Sequence, residues 1–135
     1  MVMRNTAHII LYNGENKVYL QHRDDKAPTN PNTIGLFGGG IKQNERPLDA
    51  IRRECLQAIG YNLNRPKLLE EGEYKEVSYC GKRYVYIKKY DDISFLKCCE
   101  GKKGEWLAHE DIMRSEKILP IDKKVLKKFY REKSF

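Results

Sequence analysis

Three consecutive glycines, Gly38, Gly39 and Gly40, stand shortly before a carboxylate, Glu54, and an amide, Gln57. A glycine cluster lets a backbone turn sharply and come close to a ligand, because no side chain stands in the way. Exposed amides from such a bend, feeding a helix that carries an off-core carboxylate, can hold a metal and a polyphosphate together. The chemistry this points to is handling of linked phosphates.

The helix that must position Glu54 is bounded at both ends. Pro47 sits where a first helical turn tolerates proline, and Gly60 sits where a helix is commonly stopped, so the predicted span is residues 47–59. Leu48, Ile51, Cys55 and Ile59 recur at spacings of three and four, which stacks them into a core-facing stripe. Glu54 and Gln57 fall off it.

Residues 35–61 are similar to the signature of the Nudix family. Gly39, Glu45, Arg53, Glu54, Cys55, Gly60 and Tyr61 fall on its register, with Gln57 and Ala58 where the signature has a pair of glutamates. The resemblance implies an α/β/α sandwich with a mixed, mostly antiparallel sheet, and a helix whose glutamates bind Mg²⁺ or Mn²⁺ over a pyrophosphate. It implies further that Glu45 and Arg53 fix the loop against the helix and orient Glu54, with Gly60 as structural support. A second stretch, Glu100-Gly101-Lys102-Lys103-Gly104-Glu105-Trp106, resembles the loop of Nudix pyrophosphohydrolases whose extra glutamate reaches the metal or its water. Glu100 matches that glutamate.

By the same resemblance, Gly39, Glu54, Gln57 and Glu100 hold the metal. Glu54 and Glu100, with Arg53, form the catalytic set. Arg23, Gly38, Gly39 and Gly40 meet the substrate. The departures thin this set: Gln57 keeps a neutral oxygen and Ala58 offers none. At about 4 Å and an effective dielectric near 20, a carboxylate attracts a unit charge by roughly 4 kcal/mol before desolvation, so losing two weakens the site.

The remaining chain must supply the scaffold. At 135 residues it fits one domain, residues 1–135, with one core. Its 26 Lys+Arg against 19 Asp+Glu give a net charge of +7, which suits an anionic partner such as a nucleotide or RNA and equally suits a solvated lysine surface. The early apolar run is too short for a signal peptide and no segment has transmembrane length, so no membrane association is expected. Cys55, Cys80, Cys98 and Cys99 show neither zinc spacing nor a disulfide framework, and a reducing cytoplasmic setting is the default.

Residues 6–12 and 17–23 read as strands around an Asn13-Gly14-Glu15-Asn16 hairpin connection, with His8 and His22 as strand side chains. Residues 24–33, holding Pro28 and Pro31, read as a loop that walls the pocket. Residues 67–78 and 82–90 read as a second hairpin turning at Tyr79-Cys80-Gly81-Lys82, its tyrosines serving packing. His109 fits a helix start and Glu105 a strand end. Residues 119–135 carry Ile121, Val125, Leu126, Phe129 and Tyr130 at helical spacing, with lysines on the remaining faces. Two functions stay open: a metal-dependent hydrolase of a phosphoanhydride in a nucleoside diphosphate-linked compound, or an inactive fold of the same type that binds a nucleotide, RNA or a protein.

Overall fold

A computed structural model describes residues 1–28, 30–91, 96–97 and 103–132. The chain opens with β1 (Val2–Met3) and β2 (Thr6–Tyr12), and β3 (Val18–His22) returns antiparallel to β2. Asn13 makes that return: its Oδ1 accepts the backbone N–H groups of Glu15 and Lys17, while Asn16 takes a φ of 63° that asparagine tolerates. Next come β4 (Ile34–Gly35), β5 (Phe37–Gly40) and α1 (Pro47–Ile59). The second half holds β6 (Lys67–Lys75), β7 (Tyr79–Lys89), β8 (Lys103–Leu107), α2 (His109–Arg114) and α3 (Pro120–Glu132).

Among the described residues eight strands form one mixed sheet. β7 runs parallel to β1 and β2, and the other pairings are antiparallel. Alternation along β2 splits the core between its two faces. Ala7, Ile9 and Leu11 pack with Ile51, Cys55 and Ile59 of α1, whereas Ile10 and Tyr12 pack with Val125, Leu126 and Phe129 of α3. Each such aliphatic side chain contributes about 1.5–3 kcal/mol on burial, so truncating Ile51 to alanine would cost about 2–5 kcal/mol.

Helix α1 begins and ends where the sequence predicts. At its start Asp49 accepts hydrogen bonds from the backbone N–H and the guanidinium of Arg46. At its end Gly60 adopts a left-handed φ of 63°, and its N–H and that of Tyr61 return to the carbonyls of Leu56 and Cys55.

The second hairpin turns earlier than its sequence suggests. The reversal lies at residues 76–78, where Glu76 N–H donates to the Tyr79 carbonyl, and Gly81 lies inside β7 opposite Tyr74. A Cβ on Gly81 would stand 2.5 Å from the Arg4 carbonyl oxygen and 2.8 Å from Asn5 Oδ1. The glycine serves close approach of β7 to the Arg4 backbone, not a turn. Glu105 likewise sits within β8, opposite Leu20, instead of at a strand end. His109 does open α2, and its ring stacks on Tyr130 at 4.0 Å between centroids.

The basic face of α3 is partly spent inside the molecule. Lys123 Nζ donates to the Ser115 carbonyl, and Lys128 Nζ lies 3.7 Å from Glu70. Among the described residues no helix is long and apolar enough to cross a membrane.

Candidate active site

The triple glycine is a strand, not a sharp bend. Gly38, Gly39 and Gly40 belong to β5 and lie opposite His8, Ala7 and Thr6 of β2. Strand alternation sends successive positions to opposite faces. A Cβ on Gly39 would stand 2.8 Å from Glu54 Oε1, one on Gly38 would stand 2.6 Å from His8 Nδ1, and one on Gly40 would stand 2.9 Å from Arg4 Nε. The glycines therefore make room for this chain's own polar side chains. Gly39 admits Glu54 from α1, while Gly38 and Gly40 admit His8 and Arg4 on the other face.

Arg53 holds the α1 side together. Its Nε donates to Glu45 Oε2 at 2.9 Å, its Nη2 to Glu45 Oε1 and the Gly40 carbonyl at 3.0 Å each, and its Nη1 to Glu54 Oε1 at 2.9 Å. One planar cation thus ties the residues before α1, the end of β5 and the carboxylate on α1 into a single unit. Glu45 also accepts the Lys42 N–H at 3.0 Å. These bonds, the one from Arg53 foremost, lower the Glu45 carboxyl to about 2, and the same pairing raises the Arg53 guanidinium further.

Glu54 and Gly39 line a cleft of about 450 Å³, together with Gly38 and Arg23. The loop predicted to wall it does so through Asp24, Lys26, Ala27, Pro28 and Asn30. Arg53, expected in the catalytic set, is not in the lining of the cleft and reaches it through its Nη1 bond to Glu54. Gln57 is exposed, outside the lining, and meets Arg53 only at 3.5 Å. Glu100, with Cys98 and Cys99, lies outside the described residues.

Ala58 is 2 % exposed and packs in the α1-side core, so position 58 supplies packing where the signature supplies an oxygen. Among the described residues no cluster of three His, Cys, Asp or Glu side chains stands ready to hold a metal. Within the cleft the expected donors that remain are the Glu54 carboxylate and the Gly39 carbonyl, with the Gln57 amide oxygen on the exposed side of α1 outside the lining. They are all hard oxygens, and magnesium is commonly held by one or two carboxylates, several waters and substrate phosphates. The set fits a magnesium-type ion held weakly by the protein and completed by the ligand.

The cleft contains residues with no sequence motif behind them. Arg4, Thr6, His8, Gln21, Arg83 and Asp122 all line it. Arg83 Nη2 donates to Asp122 Oδ1, and Asp122 Oδ2 accepts the Leu36 N–H at 3.1 Å. Asp122 is 3 % exposed. Its signal was available: it shares the stripe of Val125, Leu126 and Phe129 on α3, and an acid on an apolar stripe calls for a buried partner. His22 is a strand side chain, as its sequence predicts, and it also lines the cleft and pairs with Glu105 at 2.7 Å.

A family model described as the NUDIX domain matches residues 2–129 of the chain. The MutT protein of Methanosarcina mazei Go1 superimposes with a TM-score of 0.85 at 17 % identity, over 98 % of this chain and 96 % of that one. A MutT NUDIX hydrolase of Burkholderia pseudomallei gives 0.80 at 19 % identity, over 94 % and 98 %. A NUDIX hydrolase of Nitrosomonas europaea gives 0.79 at 14 % identity, over 96 % and 90 %. No match to a curated protein is found.

Proposed function

The chain belongs to the Nudix family, and from that premise we propose that it hydrolyses a phosphoanhydride bond in a nucleoside diphosphate-linked compound, with Mg²⁺ or Mn²⁺. One observation carries the reading: the Glu54 carboxylate lies against Gly39 on the wall of a cleft that also presents Arg23. In this reading water attacks phosphorus, one P–O bond forms, and the bridging P–O bond breaks, its oxygen leaving with the electron pair. The bound cation supplies charge neutralisation at the phosphate oxygens, and Gly39, Glu54 and Gln57, with Glu100, are the residues that would hold it.

Of the carboxylates that line the cleft, Glu54 is the one set against Gly39, and in this reading it takes the proton of the attacking water. Arg23 faces the phosphates and balances charge that builds on their oxygens. Arg53 fixes Glu54 in one orientation through the bond from its Nη1, which is the work of a supporting partner behind a ligand. Glu45 anchors Arg53 in turn.

A second reading has its own support. Position 58 is a core alanine and Glu54 is already engaged by Arg53, an arrangement that suits a module which binds a nucleotide without cleaving it. The two separate in one experiment. The protein is incubated with nucleoside triphosphates, sugar nucleotides and dinucleoside polyphosphates, with Mg²⁺ or Mn²⁺, and released products are scored. Turnover that falls at least about a hundredfold in Glu54→Gln supports hydrolysis at this site. Turnover unchanged in that variant contradicts it, and micromolar binding without turnover of any compound establishes the second reading.

A further inference from the structure

The face of β2 turned away from α1 carries Thr6 and His8 in alternate positions. Across the strands Thr6 lies opposite Gly40 on one side and Arg83 on the other, and His8 lies opposite Gly38. With no side chains on Gly38 and Gly40, this part of the sheet is left to His8 and Arg4, which with Thr6 and Arg83 form a floor of the cleft. Arg4 reaches over it from the segment between β1 and β2, its guanidinium set 5.3 Å from the Tyr79 ring centroid.

Two groups on this floor are buried without a hydrogen-bond partner among the described residues: Thr6 Oγ1 and His8 Nδ1. Thr6 as a residue is only 7 % exposed. Leaving such atoms unsatisfied costs about 1–3 kcal/mol each, so a pair of them side by side in a cleft marks a place that a ligand completes. The charges that bear on His8 agree. Burial, then Arg83, Arg23 and Arg4, hold its imidazole well below the ordinary histidine value, so at neutral pH it is an uncharged ring close to these guanidiniums, of which that of Arg83 is paired with Asp122.

We propose that this floor, formed by Arg4, Thr6, His8 and Arg83, is a second anion site that binds a phosphate group of the ligand separate from the phosphates at Glu54 and Arg23. A phosphate fits it better than a carboxylate does. Guanidinium donors, a hydroxyl and an imidazole nitrogen approach from several directions, and a tetrahedral group with three terminal oxygens takes more of them than a planar one with two. The preferred ligand is therefore a nucleotide carrying a phosphate at each of two separated positions. The identity of the ligand as a nucleotide rests on the function proposed above; the anion site itself does not depend on hydrolysis.

Binding is measured by calorimetry in EDTA, so that no cation contributes, with adenosine 5′-monophosphate and adenosine 3′,5′-bisphosphate as probes. The wild type is expected to bind the bisphosphate about tenfold more tightly or better, the equivalent of one charge-assisted contact. Arg4→Gln and the near-isosteric Thr6→Val are each expected to lower that ratio at least about threefold while affinity for the monophosphate holds. Circular dichroism verifies that both variants fold. Equal affinity for the two probes in the wild type overturns the inference, as does a ratio untouched by both substitutions or no binding of either probe. Turnover of the substrate panel with a ratio of one would leave the proposed hydrolysis standing and remove the second site. A clear bisphosphate preference without turnover does the reverse.

Discussion

Two polar clusters lie on opposite sides of β5, and they differ in how completely they are satisfied. On the α1 side, Arg53 spends its donors on both oxygens of Glu45, on Glu54 and on the Gly40 carbonyl. On the other side, Thr6 Oγ1 and His8 Nδ1 have no hydrogen-bond partner among the described residues, although Arg83 beside them is paired with Asp122. A closed network holds its members in one geometry and suits a scaffold for a reacting group. An open one retains a desolvation cost that only an incoming ligand relieves. The same three glycines make both possible, one for the closed side and two for the open side.

The largest effect on this contrast comes from Asp122→Asn. It leaves Arg83, 6 % exposed, without its counter-charge and should destabilise the fold by about 3 kcal/mol in denaturant melts. Because the open side faces the same guanidinium, millimolar inorganic phosphate should restore part of that loss in the variant and stabilise the wild type less. Equal stabilisation of both proteins would break the distinction between the two sides.

Next comes Arg53→Gln, which opens the closed cluster. Turnover should fall about 10–100-fold, as when the partner behind a ligand is removed, while metal-free affinity for adenosine 3′,5′-bisphosphate stays within about twofold. A matching loss of that affinity would mean that the two clusters act as one.

The smallest effect is a pH dependence. Glu45 titrates at about 2 in the folded protein against an ordinary value of 4.5. A depressed folded value means the unfolded chain binds the proton more readily. The stabilisation is therefore complete above pH 4.5 and is lost as pH falls toward 2. Thermal melts between these limits should decline more steeply in the wild type than in Glu45→Gln. Identical slopes would show that the Glu45 to Arg53 pairing adds nothing in solution.

What could be read from sequence divides along physical lines. Pro47, Gly60 and the stripe of Ile51, Cys55 and Ile59 marked α1 because local signals determine a helix and its ends. β2 was legible in full from its apolar run. Glycines were harder, since a missing side chain has more than one use. Gly81 looked like a turn and proved to permit contact between β7 and the Arg4 backbone, and residues 38–40 looked like a bend and proved to be strand. The pairing of Arg83 with Asp122 spans 39 positions, and nothing local to either residue names the other. The proline-bearing loop was recognised as a pocket wall, but the open floor beneath it was not. That floor is assembled from single residues of β2, β7 and the segment before β2, none belonging to a motif.

The central claim is that a divalent cation brought by a phosphorylated ligand settles beside Glu54 and the glycine strand. Paramagnetic broadening by Mn²⁺ tests it without any need for turnover: amide resonances are recorded with a nucleoside diphosphate, and Mn²⁺ is then added at substoichiometric levels. Broadening centred on residues 38–40 and 54–57, and much reduced in Glu54→Gln, is the predicted result. Broadening centred elsewhere, or equally strong in Glu54→Gln, would contradict the claim.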